Sequence, residues 1–207
     1  MAVWRVGYIA SPCEFTPRWL CGWNHRFDDP KREYRTIYAA DKKETCLREV
    51  LADFRPNRKV LADFNKLFGD DEAVECAGLV PGAWREKHVL AQAEIAVSSG
   101  GIADIESGPV LTDLSRRLEN ELGVRGLKRL DVARLRSQDR DLTRAASRLL
   151  YDDGHAGVDF HSRLDKHPCH ALFEGRAHLE QRGAAIPLSE EVAELSAVST
   201  EYDLRLG

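Results

Sequence analysis

At 207 residues, 43 % of them hydrophobic, the chain is long enough to bury a substantial core, and a single domain over 1–207 is the default expectation. A net charge of −4 argues against a protein that coats nucleic acid or an anionic membrane, since both demand a dominant positive field. Five cysteines, at 13, 21, 46, 76 and 169, are odd in number and scattered, which suits reduced thiols in a cytoplasmic protein better than a disulfide framework.

The opening Met1-Ala2-Val3-Trp4-Arg5-Val6 sets a charge inside a short apolar stretch, unlike a secretory leader, and no later run reaches the length of a membrane span. Val3 to Ile9 reads as a first strand, after which Ser11-Pro12 and Thr16-Pro17 punctuate a loop carrying Trp19 and Trp23. Those two rings serve either as core aromatics or as an interface, one between copies of the chain included. Asp28-Asp29-Pro30 marks a turn, and Tyr34 to Ala40 reads as a second strand.

Asp41-x-x-Glu44 has the capping-box pattern and opens a helix to about Phe54, closed by Arg55-Pro56-Asn57. Its apolar face is Leu47, Val50, Leu51 and Phe54. At roughly 100° per residue, Glu49 projects nearly opposite Leu47, so it meets a ligand only if the polar side of the helix lines a cleft. Val50-Leu51-Ala52-Asp53-Phe54 recurs at 60–64, an interval too short for a solenoid repeat.

From Leu79 to Ser107 the pattern is loops alternating with short strands: Pro81-Gly82, an apolar patch over Val89 to Val97, and the Ser98-Ser99-Gly100-Gly101 break. Thr112 opens a helix with Leu114, Leu118 and Leu122 on one face and Gly123 as its stop. Asp141 heads another, with Leu142, Ala145, Ala146, Leu149 and Leu150 inward and Asp152-Asp153-Gly154 at its end. Gly157 to His161 and Cys169 to Phe173 are strands separated by a polar turn, which puts Ser162 at a strand end. Ser189-Glu190-Glu191 caps a last helix. The alternation predicts a mixed α+β domain, with a small mixed or antiparallel central sheet flanked by helices.

Several polar groups invite a chemical reading. Arg136, Arg140, Arg144 and Arg148 recur every four residues, but Asp139 and Asp141 interleave with them, and a solvated helix face or a protein contact is the expectation. His161, His167, Cys169 and His170 fit no zinc spacing, and no metal is expected. Gly-x-Ser-x-Gly, a dinucleotide fingerprint and a phosphate loop are all missing. Arg26, Tyr38, Glu49 and Ser162 are individually ordinary, and each has a plain structural use: Arg26 as partner to Asp28 or Asp29, Tyr38 as a strand aromatic, Ser162 as a turn hydroxyl.

Taken with their surroundings, however, Asn24 to Leu51, Gly157-Val158-Asp159-Phe160-His161-Ser162-Arg163 and Cys169 to Glu174 resemble the RES domain family, named for an arginine, a glutamate and a serine. The family's Arg, its Tyr at a strand end, its Glu in the next helix and its Ser after a Gly-apolar-x-aromatic strand fall on Arg26, Tyr38, Glu49 and Ser162. Two positions depart from the pattern: His25 stands where Gly often precedes the arginine, and Phe27 where Trp is frequent.

The resemblance implies an ADP-ribosyltransferase-like fold, NAD+ as substrate and a role as toxin of a bacterial toxin–antitoxin pair, with an Xre-type antitoxin as partner. It implies cleavage of the nicotinamide–ribose bond. Water, inorganic phosphate and a protein side chain are all compatible acceptors, making the protein a glycohydrolase, a phosphorylase or an ADP-ribosyltransferase. A non-catalytic module that binds a nucleotide or a partner is the alternative class. In the enzymatic reading Glu49 faces the positive charge that develops on the ribose, and Arg26 grips pyrophosphate or a hydroxyl. Tyr38 then stacks on nicotinamide, while Ser162 orients the amide or ribose.

Overall fold

A computed structural model of the chain describes residues 2–56, 77–137 and 139–207; the second pentapeptide at 60–64 and Cys76 lie outside them. Its framework is a seven-stranded sheet in the order β5-β6-β7-β2-β1-β4-β8, where β1 is Ala2–Tyr8, β2 Thr36–Ala40, β4 His88–Val97, β5 Ile102–Asp104, β6 Gly157–His161, β7 Pro168–Phe173 and β8 Ala177–Pro187; the short β3, Leu79–Val80, pairs apart from it with Arg205–Leu206. Every neighbouring pair is antiparallel except β5 with β6. The sheet is therefore mixed and the architecture α+β, as the alternation predicts. The long β8 is an addition: Ala177 to Pro187 carries Glu180, Gln181, Arg182 and Gly183 in its middle, so it lacks the apolar run that advertises a strand, and pairing with β4 holds it in place.

The sheet is split at its centre. Strands β1 and β2 are paired at one position, Trp4 with Ala40, whereas β1 follows β4 over seven residues and β2 follows β7 over five. Arg5 fills the wedge, donating from Nε to the carbonyl of Pro12 at 2.9 Å and from Nη1 to the carbonyl of Tyr38 at 3.0 Å. Those carbonyls would otherwise lack partners, and a buried unpaired carbonyl is costly. Desolvation accordingly holds the Arg5 guanidinium below its ordinary value.

Helix α1, Lys43–Leu51, packs its buried Cys46, Leu47 and Leu51 on Val6, Ala40 and Leu90 of the sheet and on Leu195 and Val198 of a C-terminal helix, Ala193–Glu201. A neighbouring core gathers Leu114, Leu118 and Leu122 with Leu142, Ala146 and Leu150 around Phe27, Val158 and Phe173. The other face of the sheet buries Val3, Ile37, Ala39, Ala91 and Leu172. No helix among the described residues is long and apolar enough to cross a membrane.

Several sequence-based boundaries shift, each for a local reason. The helix expected to open at Thr112 starts at Gly108, with Ser107 as N-cap and Pro109 in its first turn, and it gives way at Leu118 to a second short helix, Glu119–Val124. Asp41 does not cap α1: Lys42 is the N-cap, and Asp41 instead accepts a hydrogen bond from His170. The stop glycine after the Leu122 turn is Gly126, at φ +67, where Leu127 N–H returns to the Leu122 carbonyl at 2.9 Å; the left-handed backbone there suits glycine, whereas Gly123 is still helical. The helix Arg140–Asp152 is capped by Asp139, whose side chain accepts from Leu142 N–H, and so starts before Asp141. The last helix begins at Ala193 with Val192 as its N-cap, beyond Ser189.

Candidate functional site

The segment from His25 to Glu33 crosses in front of β2 and carries Arg26. Its shape is set by two buried aspartates. Asp28 accepts from His25 N–H at 2.8 Å and from the Tyr38 hydroxyl at 3.0 Å, and that hydroxyl in turn accepts from Phe27 N–H at 2.9 Å. Asp29, fully buried, accepts from Lys31 and Glu33 N–H at 3.1 and 2.6 Å. Tyr38 thus pins the backbone on the C-terminal side of Arg26, and Asp28 the side before it. Burial and the Asp28 charge push the Tyr38 phenol well up, so it keeps the proton it donates.

The arginine series after position 136 turns out to belong to this support. Arg140 donates to the Asn24 carbonyl at 2.6 Å and Arg144 to the Asp28 carbonyl at 3.4 Å. Arg148 pairs with Asp29, Glu33 and Asp152. Arg136 precedes the helix and forks onto Glu106 at 2.6 and 3.0 Å. The expected solvated stripe is instead a strap across the Arg26 loop.

Arg26 is half-buried, with Nη1 donating to the carbonyls of Leu135 and, at 2.9 Å, Ser137. That leaves the other edge of its planar fork for a ligand. Desolvation and then the neighbouring Arg163 hold its pKa below the ordinary arginine value, with Glu49 acting the other way. Arg26 and Glu49 line the same cleft, of ≈390 Å³, together with Tyr38, Phe160 and Arg163. A volume of that order is usual for a small-molecule site. Glu49 is on the exposed side of α1, as the helical period requires, and that side faces the cleft.

Ser162 is fully buried. Its hydroxyl donates to Glu49 Oε1 at 2.6 Å and accepts from Leu164 N–H at 3.0 Å. The contact exists because the turn after β6 is clamped to α1. Asp165 accepts from Thr45 Oγ1 at 2.7 Å and from Arg48 Nη1 at 3.0 Å, and Arg48 also forks onto Glu201. Burial opposes ionisation of Asp165, but these hydrogen bonds outweigh it and lower its pKa.

Beneath the turn, His170 lies buried between two carboxylates, Nδ1 at 2.7 Å from Asp159 and Nε2 at 2.8 Å from Asp41. Burial alone would lower its pKa; the two carboxylates more than reverse that, and the net shift is upward. The remaining members of the suspected zinc cluster are engaged apart: His161 with Glu106, His167 with Lys42, and Cys169 within the apolar core. Among the described residues no three His, Cys, Asp or Glu side chains are gathered to hold a metal. The four described cysteines are free, and burial pushes the Cys46 thiol up to about 12.

The structure therefore brings Arg26, Tyr38, Glu49 and Ser162 to one place, with Arg26, Tyr38 and Glu49 on the cleft wall and Ser162 behind Glu49. Sequence reasoning missed Arg163, although it follows Ser162 directly, and Arg5, which sits in an ordinary strand. It also missed Glu106, whose partners are 30 and 55 residues away. Trp19 is 82 % exposed, so it is not a core aromatic.

The RES domain family model matches residues 2–191, and the chain belongs to the RES domain family. None of the curated proteins matches it. Among solved structures it is similar to a chain of the M. tuberculosis MbcT-MbcA toxin–antitoxin complex, with 15 % sequence identity, coverage of 97 % of this chain and 87 % of that one, and a TM-score of 0.46.

Proposed function

We propose that the protein binds NAD+ in the cleft beside β2 and α1 and breaks its nicotinamide–ribose bond. The observation that carries this reading is the placement of Glu49: a carboxylate fixed by a buried serine, across a shared cleft from a half-desolvated arginine with which it forms no ion pair. As nicotinamide leaves, the ribose becomes oxocarbenium-like, and an anion held beside it stabilises that state more than the ground state. Arg26 offers its free edge to the pyrophosphate, with Arg163 adding positive charge. Tyr38 offers a ring face to the nicotinamide, its hydroxyl being already committed to the loop. Ser162 acts on Glu49 and reaches no ligand itself.

Within this reading the chain is the toxin of a toxin–antitoxin pair, and an Xre-type antitoxin is its partner, as the RES resemblance implies. Incubation of the purified protein with NAD+, followed by product identification, tests the chemistry. Free nicotinamide with ADP-ribose or its phosphate is the expected result. NAD+ that stays whole at high protein concentration would point to a binding module instead.

A further inference from the structure

Beside the cleft lies a much smaller chamber that shares Arg26, Glu49, Phe160 and Arg163 with it and is otherwise lined by Glu106, Arg136 and His161 among others. Its volume is ≈10 Å³, the space of about one water molecule. His161 stands at its wall with the two ring nitrogens in different situations. Nδ1 faces Glu106 Oε2 at 3.0 Å, and the His161 backbone N–H donates to Oε1 of the same carboxylate at 3.3 Å. Arg136 locks that carboxylate from behind with its fork. A neutral imidazole so placed carries its proton on Nδ1 and leaves the Nε2 lone pair free, which is the arrangement of a general base oriented by an acid.

We propose that His161 is the general base that activates a water molecule held in this chamber, making the protein a hydrolase and not a phosphorylase. The inference rests on the NAD+ reading above and names its acceptor. In the step, the bond from C1′ of the ribose to the nicotinamide nitrogen breaks, and its electron pair leaves with neutral nicotinamide. The water oxygen forms the new bond to C1′ and its proton passes to His161 Nε2. The imidazolium that results is held by Glu106 through Nδ1–H until the proton is released to solvent. The sum is NAD+ plus water giving ADP-ribose, nicotinamide and a proton. Inorganic phosphate, with five heavy atoms, is too large for this chamber.

Glu106 must be ionised for this role, and it is. Burial opposes its charge, but hydrogen bonds from Arg136 and His161 prevail and lower its pKa. The charged groups facing His161 across the chamber are Glu49 from α1, Arg26 from its loop, and Arg163. Asp159, two residues back on the same strand, is turned to His170.

The test is the steady-state kinetics of the full chain and His161→Gln on NAD+, with phosphate absent or in large excess, following nicotinamide and the ribosyl product. Expected are a kcat lower by about 10²–10⁴-fold with KM little changed and rescue of His161→Gly by added imidazole. ADP-ribose should be the product at every phosphate concentration. A variant that folds and matches the wild-type kcat, or a wild-type enzyme whose product shifts to ADP-ribose phosphate, overturns the proposal while leaving NAD+ cleavage standing. Because the phosphate arm needs no variant, it decides even if His161→Gln does not fold. Wild-type protein that leaves NAD+ whole overturns the underlying reading instead.

Discussion

Tyr38→Phe separates the two uses a cleft tyrosine could have. The substitution keeps the ring and removes one oxygen, which accepts from Phe27 N–H at 2.9 Å and donates to Asp28 at 3.0 Å. Phe27 and Asp28 are 1 % and 5 % exposed, so water does not readily replace the lost partner. An unsatisfied buried donor costs about 1–3 kcal/mol, and a hydrogen bond to a charged group is worth about 1.5–3 kcal/mol. Both contacts share a single hydroxyl, so the two figures overlap and the net loss is about 2–4 kcal/mol. For a chain of this length that corresponds to a fall in Tm of roughly 10 °C. Because the hydroxyl holds Phe27 N–H on one side of Arg26 and the Asp28 carboxylate that holds His25 N–H on the other, the expected shift at the guanidinium is about 1 Å, enough for roughly 10²-fold in turnover. Thermal unfolding by circular dichroism and NAD+ turnover measure the two effects together. A variant as stable as wild type but slow would refute the loop-pinning argument and show that the hydroxyl serves the ligand.

Ser162→Ala should slow turnover less than loss of the carboxylate itself, since Glu49 remains but loses its 2.6 Å tether; steady-state kinetics would contradict this if the serine variant were the slower of the two. His170 gives a pH signature. Its native pKa is raised, so the stability it contributes is complete below the unfolded value of about 6.5 and drains as pH rises through the raised native value. Wild type should therefore lose Tm relative to His170→Asn over that interval, and parallel Tm curves for the two proteins would refute the double carboxylate clamp.

Much of this was legible because local physics and tertiary structure agree. The apolar runs at 3–9, 34–40, 157–161 and 169–173 and the leucine face at 114, 118 and 122 point the same way as the packing. Glu49 marks the limit of such reading. The helical period says only that it is opposite Leu47, and whether that direction is solvent or cleft depends on β2, the Arg26 loop and the turn at 162–167, each placed by contacts distant in sequence. The arginines at 140, 144 and 148 show the same limit, since their partners at 24, 28, 29 and 33 carry no periodic trace. Asp41 is misread locally for a related reason: it looks like a helix cap and is instead committed to a long-range partner, His170.

The central claim is that the Glu49 carboxylate faces the reacting ribose. Nicotinamide release by Glu49→Gln, measured beside wild type with folding verified by Tm, tests it most directly: the side chain keeps its size and loses only its charge. Turnover should fall by about 10²-fold or more with NAD+ affinity largely kept, whereas release at the wild-type rate would contradict the role assigned to this residue.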